Sequence, residues 1–80
     1  MPIMTILVDQ TPKYVVRPTD NNALRRFLRQ AREFLAKGDD HATISHRPAE
    51  SAEIDRWKAA FALHLAWGGE EEGFFGIPLF

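Results

Sequence analysis

Eighty residues, 45% of them hydrophobic and 26% charged, describe one globular domain with no length left for a second core, and exclude a disordered chain. The absence of cysteine excludes a disulfide scaffold and a thiolate metal site, and in a domain this small it points to a reducing, cytoplasmic setting. A net charge of −1 excludes a uniformly basic nucleic-acid coat. The charge is uneven, however: residues 1–47 carry eight Lys or Arg against five Asp or Glu, and residues 48–80 carry two against six, which makes the molecule dipolar.

The start, "MPIMTILVDQ", has neither the basic n-region nor the apolar length of a signal peptide or membrane span, and reads as folded structure. Ile3 to Val8 and Lys13 to Arg17 are β-branched and aromatic runs separated by the turn formers Asp9 and Pro12, so residues 3–17 predict a β-hairpin. Pro18 interrupts the ladder. Thr19 and Asp20 are both good N-cap residues, and helix one is expected over 20–37.

At about 100° per residue, Leu24, Phe27, Leu28, Ala31, Phe34 and Leu35 share one arc of that helix and predict its core stripe. Gly38 is the expected left-handed residue that ends it. Asp39 to Pro48 read as a loop with a short third strand within 42–45. Pro48 suits a first helical turn, and Glu50, Glu53 and Asp55 complement a helix N-terminus, so helix two is expected over 49–67, stopped by Gly68 and Gly69.

The second half of helix two, Ala59 to Trp67, carries no formal charge with His64 neutral and predicts cover nearly all round, from the sheet, helix one or a partner. Trp57 and Trp67 read as core anchors. Ala59, Ala62 and Ala66 form a small-residue strip that permits close packing, within the chain or across a homodimer. The tail joins a glycine- and glutamate-rich link to Phe74, Phe75, Ile77, Leu79 and Phe80, an apolar arm over 73–80 that returns to the core.

The fold class that follows is small α+β: an N-terminal hairpin, two α-helices packed on one face of the sheet, a short third strand and a C-terminal extended arm.

Chemistry is harder to place. Arg25, Arg29 and Arg32 recur at four and three residues and share one ridge of helix one, with Arg26 on its flank. Read functionally, their guanidinium groups make bidentate contacts with carboxylates or phosphates of another macromolecule. Helix-turn-helix spacing is absent, and the acidic start of helix two would be repelled from a DNA groove, so nucleic acid is left with backbone contacts alone.

Asp39, Asp40, His41 and His46 lie close in sequence but match no strong metal-ligand spacing, and they read first as turn residues, with a metal-dependent protein built on them as the third and least favoured reading. His64 reads as a hydrogen-bonded core or rim histidine, and neither Ser45 nor Ser51 sits in a nucleophile context. The expectation is therefore a non-enzymatic protein without cofactor or metal, either monomer or homodimer, with no membrane role. It binds the acidic surface of a protein or ribonucleoprotein through Arg25, Arg26, Arg29 and Arg32, with Phe74, Phe75 and Phe80 as secondary interface residues and nucleic-acid backbone as the alternative partner. Small reading frames of this kind are often adaptors or inhibitors, including phage or mobile-element proteins aimed at host defence complexes such as CRISPR effectors.

Overall fold

The computed structural model describes residues 2–37 and 39–79. Two sequence expectations, Gly38 as the helix stop and Phe80 as an interface residue, lie outside them. The chain runs β1 (Met4–Val8), β2 (Thr11–Val16), α1 (Asn21–Gln30) continued by a π turn (Ala31–Leu35), β3 (Ile44–Pro48), α2 (Ser51–Ala66), a 3-10 turn (Glu71–Gly73) and β4 (Gly76–Pro78). The four strands form an antiparallel sheet in the order β3-β1-β2-β4, an α+β domain as expected.

The hairpin turns on two residues, Asp9 and Gln10, both with positive φ (50° and 70°), which is the primed geometry that matches strand twist. Pro12 belongs to β2, opposite Leu7, where the register shifts after Ile6 and leaves a bulge. The third strand is longer and later than expected, pairing with β1 from Ile44 to Pro48. Pro48 ends this edge strand, where its missing N–H costs no ladder bond, and α2 starts three residues on.

Strand alternation decides the layering. Met4, Ile6 and Val16 cluster with Ala31 of the π turn, and Tyr14, Phe27, Leu28, Leu35 and Ile44 pack around them. Thr5 points to the other face, paired with Val15 and Arg47, and its Oγ1 donates to Glu53 Oε1 of α2 at 2.8 Å. The two helices therefore lie on opposite faces, not on one as the hairpin-plus-cover argument predicts. All five β1 residues are buried, the state of a strand covered on both sides, and its unbroken run "MTILV" lacks the alternation of a half-exposed strand.

β4 adds the tail to the sheet, with Gly76, Ile77 and Pro78 opposite Val16, Val15 and Tyr14. A Cβ on Gly76 would sit 2.5 Å from the Val15 carbonyl oxygen, so the close approach of β4 to β2 needs glycine there. Among the described residues no helix is long and apolar enough to cross a membrane.

Candidate functional site

α1 begins where the sequence places it. Asp20 is extended, and its carboxylate accepts the Ala23 N–H at 2.8 Å, satisfying one of the first-turn donors. The stripe then buries Leu24 and Ala31, with Phe27, Leu28 and Leu35 partly covered. Phe34 departs from it: 66% of its surface is exposed. The cause is the π turn, closed by the Ala36 N–H donating to the Ala31 carbonyl at 3.1 Å. Its extra residue makes side chains after Ala31 lag behind the α-helical rotation, which keeps Leu35 on the core and turns Phe34 off it.

Arg25, Arg26, Arg29 and Arg32 are all exposed on α1 and its continuation, as the spacing predicts, but they are not equivalent. Arg32 Nη2 donates to the Ala42 carbonyl at 2.9 Å and holds the 39–43 loop against the helix. Arg25, Arg26 and Arg29 have no partner among the described residues. Of the chain's other three arginines, Arg56 on α2 is exposed and likewise without a partner among the described residues, while Arg17 and Arg47 are engaged internally.

Arg47 makes a bidentate pair with Glu53, Nη1 to Oε1 at 2.7 Å and Nη2 to Oε2 at 3.0 Å. Its hydrogen bonds pull the Glu53 carboxyl down to about 2 from 4.5, assisted by the Glu50 N–H and the Thr5 hydroxyl and opposed by burial. The same pairing raises Arg47. Arg17 lies over the rings of Trp57 (4.7 Å) and Phe61 (5.0 Å), with Glu71 at 4.0 Å.

Between α1 and Phe75 of the tail runs an apolar groove of about 310 Å³, floored by Ile6, Tyr14 and Ala31 and walled by Phe27, Phe34 and Phe75. It continues past Phe27, Gln30 and Phe75 into a second recess lined by Arg26, Arg17 and Thr19. The structure thus brings Arg26 and Phe75, both predicted as contact residues, to one trench. Phe34, Tyr14 and Gln30 were missed, because a regular helical wheel buries Phe34 and no sequence signal foretells the π turn.

The aromatic arm divides by strand parity. Phe74 turns to the α2 side and packs on Trp57, Phe61 and His64 with ring centroids 5.1–5.4 Å apart within that cluster. It is half-buried in that cluster. Phe75 turns to the α1 side, 6.2 Å from Phe27 and 54% exposed.

Comparison with family models, with curated proteins and with solved structures gives no match to this chain. The site must therefore be judged on its own geometry.

α2 corrects two expectations. Trp57 is buried, but Trp67 is 83% exposed, as are Leu63 (60%) and Leu65 (43%), so Trp67 is no core anchor. Phe74 covers only one side of the second half of the helix, and Ala59, Ala62 and Ala66 stay exposed; the strip is not packed within the chain. His64 is the rim histidine expected, its Nε2 2.8 Å from the Glu70 carbonyl. Asp39 accepts the His41 N–H at 3.0 Å in a tight turn. Among the described residues no three acidic or histidine side chains are grouped to hold a metal ion.

Proposed function

We propose that this chain is a non-enzymatic binding module that engages an acidic surface of a protein or ribonucleoprotein through Arg25, Arg26 and Arg29. The observation that carries the reading is the grouping: Arg25, Arg26 and Arg29 are exposed together on one helix with no partner among the described residues, whereas Arg17 and Arg47 are set against the chain's own glutamates and Arg56 stands alone on α2. Planar guanidinium groups in such a row suit carboxylate or phosphate oxygens bidentately. Arg32 is reassigned to holding the 39–43 loop. The apolar trench beside Arg26 favours a protein surface over bare nucleic-acid backbone, which offers no apolar counterpart.

The experiment is affinity capture from the native host with the wild-type chain and with Arg25→Glu combined with Arg29→Glu. The double variant is expected to keep its melting temperature and lose the captured partner; equal capture by both would make the ridge a solvated face only. Labelled DNA and RNA serve as the control for the alternative, since backbone binding would fall steeply with salt. A narrower form of the reading is an inhibitor, carried by a phage or mobile element, of a defence complex such as a CRISPR effector. Its support is the small size and the arginine face alone, and its test is loss of target-DNA binding by a purified effector, restored by the double variant.

A further inference from the structure

We propose that the trench between α1 and the tail binds a long-chain carboxylate, the hydrocarbon chain lying along Phe27, Phe34 and Phe75 and the head group meeting Arg26. The inference goes beyond the binding role above, and the two share Arg26.

The trench is graded from apolar to cationic. Its larger part, about 310 Å³, offers the Tyr14 hydroxyl and the Gln30 amide as its polar side-chain groups, and the rest of its lining is hydrocarbon. The adjoining part, about 190 Å³, shares Phe27, Gln30 and Phe75 with it and adds Thr19, Arg17 and Arg26. Among the described residues no carboxylate lines either part, and neither do Arg25 and Arg29. Glu70, Glu71 and Glu72 line a neighbouring recess that includes Arg17 and Thr19, and Glu71 already engages Arg17 at 4.0 Å. Arg26 does not line that recess and has no partner among the described residues, so it is the cation left to hold a head group.

That gradient selects the occupant. A peptide laid along the larger part would bring an N–H and a C=O with every residue against a lining that holds two polar side chains, and each group left unpaired is costly, whereas a methylene chain carries none. A wholly apolar ligand would leave Arg26 unused, and a simple anion would leave the phenylalanines wet. A mostly apolar lining with a few placed polar groups is the pattern of small-molecule sites. Length agrees: from Arg26 to Leu35 the helix advances about 14 Å, the reach of about eleven bonds of an extended chain at roughly 1.2 Å per bond. A twelve-carbon acid therefore spans it. The π turn makes the room, because a regular helix would direct Phe34 into this space, and the extra residue turns it out to form a wall.

Titration of the isotope-labelled full chain with sodium dodecanoate below its micellar range, followed by amide shifts, tests the site. Saturable one-to-one binding is expected below about 1 mM, with shifts at Tyr14, Ala31, Phe34 and Phe75 and not at the exposed Leu63, Leu65 and Trp67 of α2. Decanoate and octanoate should bind about two- to fourfold more weakly for each methylene removed. Dodecyltrimethylammonium, with the same chain and the opposite charge, should bind at least about tenfold more weakly, and so should dodecanoate to Arg26→Glu. Arg56→Glu makes the same charge change on α2 and should bind as wild type. Phe34→Asp places a charge in the wall and should abolish binding; should it fail to fold by circular dichroism, Phe34→Ser replaces it.

No saturation in that range, shifts centred on the end of α2, equal binding of the two head charges, or equal losses in Arg26→Glu and Arg56→Glu would each overturn the proposal. So would a trench that stays empty with dodecanoate but is filled by a peptide alternating phenylalanine and glutamate, or by phosphatidylglycerol vesicles. The titration uses the purified chain alone, so its failure is distinct from a failure to capture a macromolecular partner through Arg25 and Arg29.

Discussion

Thr5 and Glu53 are 48 residues apart and joined by a 2.8 Å hydrogen bond between a fully buried strand hydroxyl and a helix carboxylate. The same Oε1 accepts from Arg47 Nη1 at 2.7 Å and from the Glu50 N–H at 2.8 Å, so one carboxylate joins β1, β3 and the start of α2. Glu53→Ala would leave a buried hydroxyl, a guanidinium and a first-turn N–H without their acceptor. The expected loss is about 2–3 kcal/mol in urea unfolding, because hydrogen bonds to a charged group are the strong ones and an abandoned buried donor adds its desolvation cost. Thr5→Val removes donor and need together and should cost under about 1 kcal/mol. Equal effects of the two variants would show instead that Glu53 acts mainly through the Thr5 hydroxyl, and not through Arg47 and the helix start.

The same carboxylate sets a pH dependence. Its pKa is lowered to about 2 in the folded chain from 4.5, so the unfolded chain binds the proton more readily. The stability contributed by the ionised pair is fully present above pH 4.5 and is lost as pH falls through about 2. Glu53→Gln, which does not titrate, is expected to be less stable at neutral pH and to close that gap progressively on acidification. Unfolding curves for the two proteins that run parallel from pH 7 to pH 2 would contradict it.

Phe34 and Leu24 separate the π turn from the regular helix expected in its place. With 66% of its surface exposed, Phe34→Ala should change stability by no more than about 0.5 kcal/mol, whereas buried Leu24→Ala should cost about 2–3 kcal/mol. A regular α-helix through residue 37 would make both large, and comparing the two unfolding midpoints distinguishes the cases.

The contrast also shows where sequence reasoning holds. Asp20 as N-cap and the outward row Arg25, Arg26 and Arg29 follow from local rules that three or four neighbouring residues satisfy on their own. The position of Phe34 depends on one extra residue in a turn, and that is settled by how Leu35 meets the sheet. Glu53 looked like a favourable charge at a helix N-terminus, which it is, but its link to Thr5 spans most of the chain and has no local signature. Trp67 was misplaced because a large aromatic residue at helical spacing from Trp57 is normally covered, and here Phe74 covers only the turns nearer Trp57, Phe61 and His64. The opposite-face placement of the helices was partly legible, since "MTILV" lacks the alternation expected of a strand with one wet face.

Gly76 makes β4 a test of how the tail is held. A methyl group there would meet the Val15 carbonyl oxygen at 2.5 Å, Val16 at 2.7 Å and Tyr14 at 2.8 Å, two of them backbone or packed core with little room to yield. Gly76→Ala is expected to cost about 1–3 kcal/mol and to loosen β4. Because Phe74 is two residues away and packs on Trp57, the buried indole should become more accessible to acrylamide, read in a Trp67→Phe background to isolate its emission. Unchanged quenching and stability would mean that β4 shifts without cost.

Arg32 and Arg29 lie three residues apart on the same ridge and should behave oppositely when truncated. Arg32 donates to the carbonyl of buried Ala42 at 2.9 Å, so Arg32→Ala removes a charge-assisted bond between the helix and the 39–43 loop. About 1–2 kcal/mol of stability should go with it, along with amide-exchange protection at Ala42, whose N–H donates to the Asp39 carbonyl. Arg29→Ala breaks no described bond and should leave stability within about 0.5 kcal/mol, its effect appearing only when an acidic partner is present. Thermal melts and hydrogen exchange of the two variants decide between one uniform ridge and the division described above. If Arg29→Ala destabilised the chain as much as Arg32→Ala, Arg29 would be serving the fold, and the surface offered to a partner would shrink to Arg25 and Arg26.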